Sequence, residues 1–359
     1  MTYQTWLIAA LVLADPPAAP LVVESAKPRP DLTALFVRTS GWTGSDGAYS
    51  IALGPKRSLW LFGDTWIGRV EDGRREEARM VNNSAAWMDL GGEANMQFFW
   101  DNSGKDPAAL LKPEKAGEWY WPGDGAVIDG KLYLFCHVLR RKEQGPPAFQ
   151  FDWFADDLLC INNPNEEPAK WKFERRRLSS DLKFGVACCF DGDHFYAYGN
   201  VPGPRKPLDA PLAVARIRKD KLAKLDMSAW ETHGKDGWTS DLRLAEPIFR
   251  DGATEMSVQR LRGIDGWLAV YMPLGISHDI VVRHAERPEG PWSAPLKVYR
   301  CPDEAKDVFL YAGKGHAELA ERDGQLIVTY CRNLGALGEH IKRPEIYAPQ
   351  VVEVQLRKK

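Results

Sequence analysis

Apolar and polar positions alternate with a period of two in five separate stretches, and each stretch turns back on itself. In the first, Gly41 to Gly68, Tyr49, Ile51 and Leu53 alternate with Ser50 and Ala52. Gly54-Pro55 breaks the run, and Ser58 to Phe62 begins a second apolar strand. The pattern returns in residues 123–138, 184–200, 253–272 and 313–331, with Asp-Gly pairs at 129–130, 191–192, 265–266 and 323–324 between the arms. Asp-Gly between such arms is the strongest short-range hairpin signal. RVEDGRREEAR, after the first hairpin, reads as a polar loop, MVNNSAAWMDL as a third strand, and residues 101–118 as an inserted loop.

The hairpins start near Asp46, Asp124, Val186, Glu255 and His316, at spacings of 78, 62, 69 and 61 residues. Each interval also holds outer-strand material: KWKFERRRL, TSDLRLAEPIF, DIVVRHAE and GPWSAPLKVY. A repeated four-stranded unit at such intervals predicts an all-β fold, a five-bladed β-propeller, as one domain over residues 32–359. YAPQVVEVQL (347–356) completes the last unit and, with an N-terminal strand, seals the ring. A β-sandwich is the rival architecture.

Composition narrows the partners. Charged residues make up 27% of the 359 and formal net charge is −2, with lysine and arginine scattered, so no nucleic-acid surface is expected. Fourteen tryptophans suit a protein that grips flat ligands. The run from Trp6 to Ala14, followed by DPPAAP, reads as a signal peptide over 1–14 and a linker or extended arm over 15–31, despite the missing basic residue near Met1. A secreted or periplasmic monomer, off the membrane after cleavage, is therefore expected. The six cysteines lack zinc-type spacing and read as small buried hydrophobes, with a disulfide open if the chain is exported.

In a propeller the innermost strands run the same way, so their first residues meet at one mouth of the channel. Asp46, Asp124 and Glu255 would stand together there, each placed to within a residue or two. Like charges so close raise one another's pKa, and two carboxyl groups in different protonation states are what glycoside hydrolysis requires. Asp46 and Asp64, beside Gly47 and Gly63, are equally good turn formers on their own. Trp42, Trp66, Trp119, Tyr120 and Trp121 would stack on sugar rings, or pack in the core. Asp64, Asn82 and Asn83 would bind hydroxyls or cap backbone groups. Arg260, His278 and Asp279 come from the fourth unit, and Asp279 is the substitute if Glu255 is not the acid. His316 is either a hydrogen-bonded core histidine or a contact, through water, to an ion in the channel.

GWTGSDGAYS (41–50), LWLFGDT and MVNNS resemble a secreted domain-of-unknown-function group of five-bladed propellers. That group is similar in fold to arabinanases, xylosidases and invertase-type furanosidases. GPWSAP, GKGHAEL and YAPQVVEVQL extend the resemblance over about residues 32–356. It implies Asp46 as base or nucleophile, Asp124 as tuning carboxylate and Glu255 as general acid. It also implies the one cofactor to consider, a calcium ion in the channel; the acids themselves have no calcium-loop spacing. Glu255 departs from the pattern by falling in the fourth hairpin rather than the third. The expected activity is hydrolysis of a polysaccharide or oligosaccharide, furanose-containing polymers among the candidates. A non-catalytic carbohydrate-binding propeller is the alternative.

Overall fold

The computed structural model describes residues 17, 19–92, 94–144, 150–178, 181–201 and 208–359. Residues 1–14, read as a signal peptide, lie outside the described residues. Five antiparallel sheets follow one another along the chain. Their innermost strands are Tyr49–Gly54, Glu118–Ile128, Lys183–Asp191, Ser257–Leu261 and Val308–His316. The third sheet has five strands and the others four.

Five buried apolar clusters sit one between each pair of neighbouring sheets. Leu59 and Leu61 of the first meet Leu132 and Leu134 of the second, and Phe135 meets Phe195 of the third. Tyr198 lies with Trp267 of the fourth, and Leu268 with Leu326 of the fifth. Trp60 and Phe62 of the first then close on Ile327 and Val351 of the fifth. Five sheets with five interfaces make a closed ring, the five-bladed propeller expected from the repeats. Both faces of each blade are covered, so the alternation predicted for the strands gives way to near-continuous burial, as in Lys131–Arg141.

The closing blade contains both ends of the chain. Leu21–Pro28 pairs in antiparallel register with Gln350–Lys358, Leu21 opposite Lys358 and Pro28 opposite Val352. The stretch expected as a linker is thus largely the outer strand of the fifth blade. Its prolines flank the strand, and an edge position tolerates them.

Two other local expectations change. RVEDGRREEAR is a hairpin, Thr65–Glu71 with Arg74–Val81, which joins Ser40–Ser45 in an added three-stranded sheet beside the first blade. Asp72 and Gly73 turn it at φ 48° and 72°, the twist a two-residue hairpin prefers. In the fourth blade Leu261 pairs with Ile264, so Arg262-Gly263 makes the turn. Asp265-Gly266 is instead a bulge within Ile264–Tyr271: Gln259 pairs with Leu268, leaving two extra residues on that strand.

Bulges also interrupt three innermost strands. Leu134 pairs with Gly125 but Cys136 with Pro122; Phe184 pairs with Gly199 but Ala187 with Tyr198; Tyr311 pairs with Cys331 but Lys314 with Thr329. The displaced residues are Gly123-Asp124, Gly185-Val186 and Ala312-Gly313. The innermost strands also begin earlier than the hairpin pattern implies, at Glu118 and Val308, so Asp124 lies mid-strand and His316 ends its strand instead of beginning it. No helix among the described residues is long and apolar enough to cross a membrane. All six cysteines are buried and none is disulfide-bonded.

Gly185 has φ +83°, and a Cβ there would stand 2.3 Å from Phe135 Cβ. Gly185→Ala combines backbone strain with overpacking and should cost about 3 kcal/mol or more in urea denaturation. Gly335, with open space around it, is the control: Gly335→Ala should change stability by less than about 0.5 kcal/mol.

Candidate active site at the channel mouth

The first hairpin brings Asp46 and Asp64 together. Tyr49 pairs with Leu61, and the Gly63 amide donates to the Asp46 carbonyl at 3.2 Å. Gly63 has to lack a side chain, because a Cβ there would lie 2.4 Å from Asp46 Oδ1. The Tyr311 hydroxyl donates to Asp46 Oδ2 at 2.5 Å, and Tyr347 donates to the same carboxyl. Asn333 Nδ2 in turn donates to Tyr311 at 2.9 Å. Asp64 Oδ1 accepts Trp121 Nε1 at 2.9 Å and Asn82 Nδ2 at 3.3 Å.

Burial, then the charges of Asp64 and Glu255, push Asp46 up to about 7 against the pull of the two tyrosine hydroxyls. Burial lifts Asp64 to about 6, opposed by its Trp121 and Asn82 donors. Glu255, in the loop before Ser257–Leu261, completes the cluster. Its Oε1 lies 3.3 Å from the Nζ of Lys314, an almost fully buried ammonium. The cluster thus holds a carboxyl that carries its proton near neutrality and another facing a fixed positive charge.

Asp124 is separate from this group, deeper in the channel. Its Oδ1 accepts the Gly125 amide and its Oδ2 the Cys188 amide, both at 2.8 Å. Burial raises it to about 7 despite those donors and Lys314. It borders a cavity of about 320 Å³ with Lys314, His316, Glu318, Ser257 and Gln259. The residue that the second blade places beside Asp64 is Trp121, and the fifth blade gives Asp46 Tyr311 in place of His316.

The remaining candidates divide. Trp121 belongs to the mouth, its ring edge-on to Phe151 at 4.7 Å. Trp66 is buried beside Arg75 and His340. Trp42 is a core residue, stacked on Phe98 at 4.5 Å with its Nε1 donating to Ser84. Asn83 is fully buried and holds the loop before the second blade, donating to the Leu111 and Tyr120 carbonyls and accepting the Leu111 amide. Its neighbour Asn82 is the one that reaches Asp64. Arg260 donates to Asp191 at 2.9 Å, at the hairpin ends of the third and fourth blades. Asp279 is held below the usual carboxylate range by Lys297 at 2.6 Å, with Arg300 adding to it, which suits an ion pair more than a proton donor.

The channel does not fit calcium, which takes six to eight oxygen ligands. His316 Nδ1 is 2.6 Å from Ser50 Oγ and Nε2 is 2.8 Å from Thr329 Oγ1, so both nitrogens are occupied. Burial, with Lys314 nearby, holds that ring down to about 3, hence neutral. Among the described residues no three His, Cys, Asp or Glu side chains gather as a metal site.

Tyr311, Lys314, Asn333 and Tyr347 escaped the sequence reading. Lys314 did leave a sign, a charge between two glycines in the apolar run LYAGKGH. His137 is a further buried group near the mouth. Its Nδ1 meets Asp156 Oδ1 at 2.8 Å, and Asp156 also accepts Trp153 Nε1 and the Phe184 amide.

Among curated proteins no sequence match is found. Solved structures do resemble the fold. A protein of Bacteroides ovatus ATCC 8483 described as a "putative hydrolase" superposes with a TM-score of 0.75 at 18% identity, covering 92% of this chain and 90% of that one. A GH43_1 enzyme from Xanthomonas citri complexed with xylotriose gives 0.48 at 15% identity, over 92% and 93% of the two chains. A xylan beta-1,4-xylosidase from Bacillus halodurans C-125 gives 0.47 at 11%, over 89% and 53%. The last two superpositions are loose, and only the first bears on the fold. The family described as "Domain of unknown function (DUF5005)" matches residues 30–355, nearly the whole chain, and the protein belongs to that family.

Proposed function

We propose that the protein is an exported glycoside hydrolase acting on an oligosaccharide or polysaccharide at the Asp46–Asp64–Glu255 mouth. One observation carries the reading: three carboxyl groups share one mouth in different electrostatic settings. Asp46 is pushed up to about 7, while Glu255 is paired with the Lys314 ammonium. A fold that needed these residues only for stability would gain nothing from burying like charges together. Trp121, half-buried at the same mouth, offers a ring for a sugar face. Export rests on the apolar run before Asp15.

The roles follow from the charges. Asp46 gives its proton to the glycosidic oxygen as the C–O bond breaks. Glu255, as carboxylate, serves the anomeric carbon by activating water or by attacking it, and the sum is addition of water across the bond. Burial, with the repulsion of Asp64 added, keeps Asp46 protonated. These assignments exchange the roles that the resemblance implies for Asp46 and Glu255, because Asp46 is the carboxyl pushed up to about 7 and Glu255 is the one in contact with Lys314. Asp124 tunes the channel from below.

A polysaccharide panel assayed for released sugars tests the activity, and no release from any member sinks it. Leaving-group dependence tests the roles. Asp46→Asn should lose about 10²–10⁴-fold on unactivated glycosides and far less on activated aryl glycosides, whereas Glu255→Gln should lose on both. The opposite pattern would restore Glu255 as the acid.

Asp46 also sets a pH dependence. As the acid, it should make activity fall as pH rises through about 7. Its native pKa lies above its unfolded value of 3.8, so the native state holds the extra proton between the two and stability falls as pH rises across that window. Asp46→Asn should therefore raise stability at pH 8 by about 1–2 kcal/mol, with little change at pH 4, even as activity is lost. Thermal melts at the two pH values check it.

A further inference from the structure

Lys314 is an unusual residue to find where it is. It lies on Val308–His316 with its side chain 1% exposed, beyond the reach of bulk water. Its Nζ has a carbonyl, Ala312 O, at 3.2 Å, Glu255 Oε1 at 3.3 Å, and the Tyr49 ring centroid at 4.4 Å. A buried ammonium with so few partners persists only if the surrounding field is strongly negative.

That field is present. Asp46 and Tyr49 face the Lys314–Glu255 pair from the first blade, Asp124 from the second, and Tyr311, His316 and Cys331 from the fifth. Glu318 adds a carboxyl at the channel cavity. His316 is neutral with both nitrogens engaged, and burial keeps Tyr49, Tyr311 and Cys331 protonated, so the negative charge comes from the carboxyl groups alone.

We propose that Lys314 is the resident cation of the channel, balancing the carboxyl groups that converge there and positioning Glu255 for its role at the mouth, with no divalent ion required. The bulge at Ala312-Gly313 makes this possible. It inserts one extra residue between Tyr311 and Lys314, so that Tyr311 reaches Asp46 while Lys314 reaches Glu255. One strand thus touches both proposed reacting groups with opposite chemistry, a hydroxyl donor for one and a fixed charge for the other. Lys314 is a positioning residue, and its assignment rests on the hydrolase reading only for its effect on turnover.

The test uses Lys314→Met, which keeps the stem and removes the charge, beside Lys314→Arg. Without the charge, the repulsion between Asp46 and Glu255 is no longer offset. The melting temperature of Lys314→Met should then fall further below wild type at pH 8 than at pH 5, with Glu255→Gln in the same chain restoring part of the loss. Lys314→Arg should recover most of the wild-type value. Calcium chloride and EDTA should leave the wild-type melt unmoved. These readings need no activity, so they stand apart from the hydrolase proposal. If sugar release is found, Lys314→Met should lower kcat by roughly a hundredfold. A stability loss equal at both pH values would reduce Lys314 to packing, and a wild-type melt raised by calcium would overturn the proposal.

Discussion

Five strands converging on one axis leave little room, and that crowding governs the site. Regular inner strands would send bulky side chains into the same narrow space. The chain relieves this with small residues and with bulges at Gly123-Asp124, Gly185-Val186 and Ala312-Gly313. The bulged backbones then bond across the channel. Tyr49 donates to the Val186 carbonyl, the Cys188 amide to Asp124, and the Gly315 amide to Ser257. Polar groups freed from the ladders are thereby satisfied inside the ring.

The same crowding determines the electrostatics. Carboxyl groups from different blades are drawn into the same dry space, where burial raises Asp46, Asp64 and Asp124, with repulsion from Asp64 and Glu255 adding at Asp46. A single ammonium, Lys314, breaks the symmetry by touching Glu255. Proton-holding and proton-accepting groups then lie side by side because Glu255 touches that charge while Asp46 meets tyrosine hydroxyls.

The added sheet beside the first blade steadies the mouth from outside. Arg75, buried on its strand Arg74–Val81, donates to the carbonyls of Thr43, His340 and Pro344. It joins the approach to Asp46 with the segment that carries Tyr347. Burial lowers its pKa to about 10, still charged at neutrality. Three carbonyl acceptors offset much of its desolvation.

By itself the sequence determined the blades. Period-two apolar runs and turn residues are local, and each hairpin's existence follows from its own few residues, although in the fourth the turn falls at Arg262-Gly263. Five such hairpins made the ring legible, as did the pairing of Asp46 with Asp64 at one end of the first. Heights along the axis were not legible, because the inner strands begin well before the hairpin arms that reveal them. Glu118–Ile128 and Val308–His316 start ahead of Asp124 and His316, and so those two lie below the mouth while Trp121 and Tyr311 take the expected places. Asn82 and Asn83 show the same limit: adjacent and alike in sequence, one reaches Asp64 and the other holds a loop. Tyr311 and Tyr347 were fixed at the site only by ring closure, since residues some 260 to 300 positions from Asp46 in the chain meet it only when the last blade docks against the first.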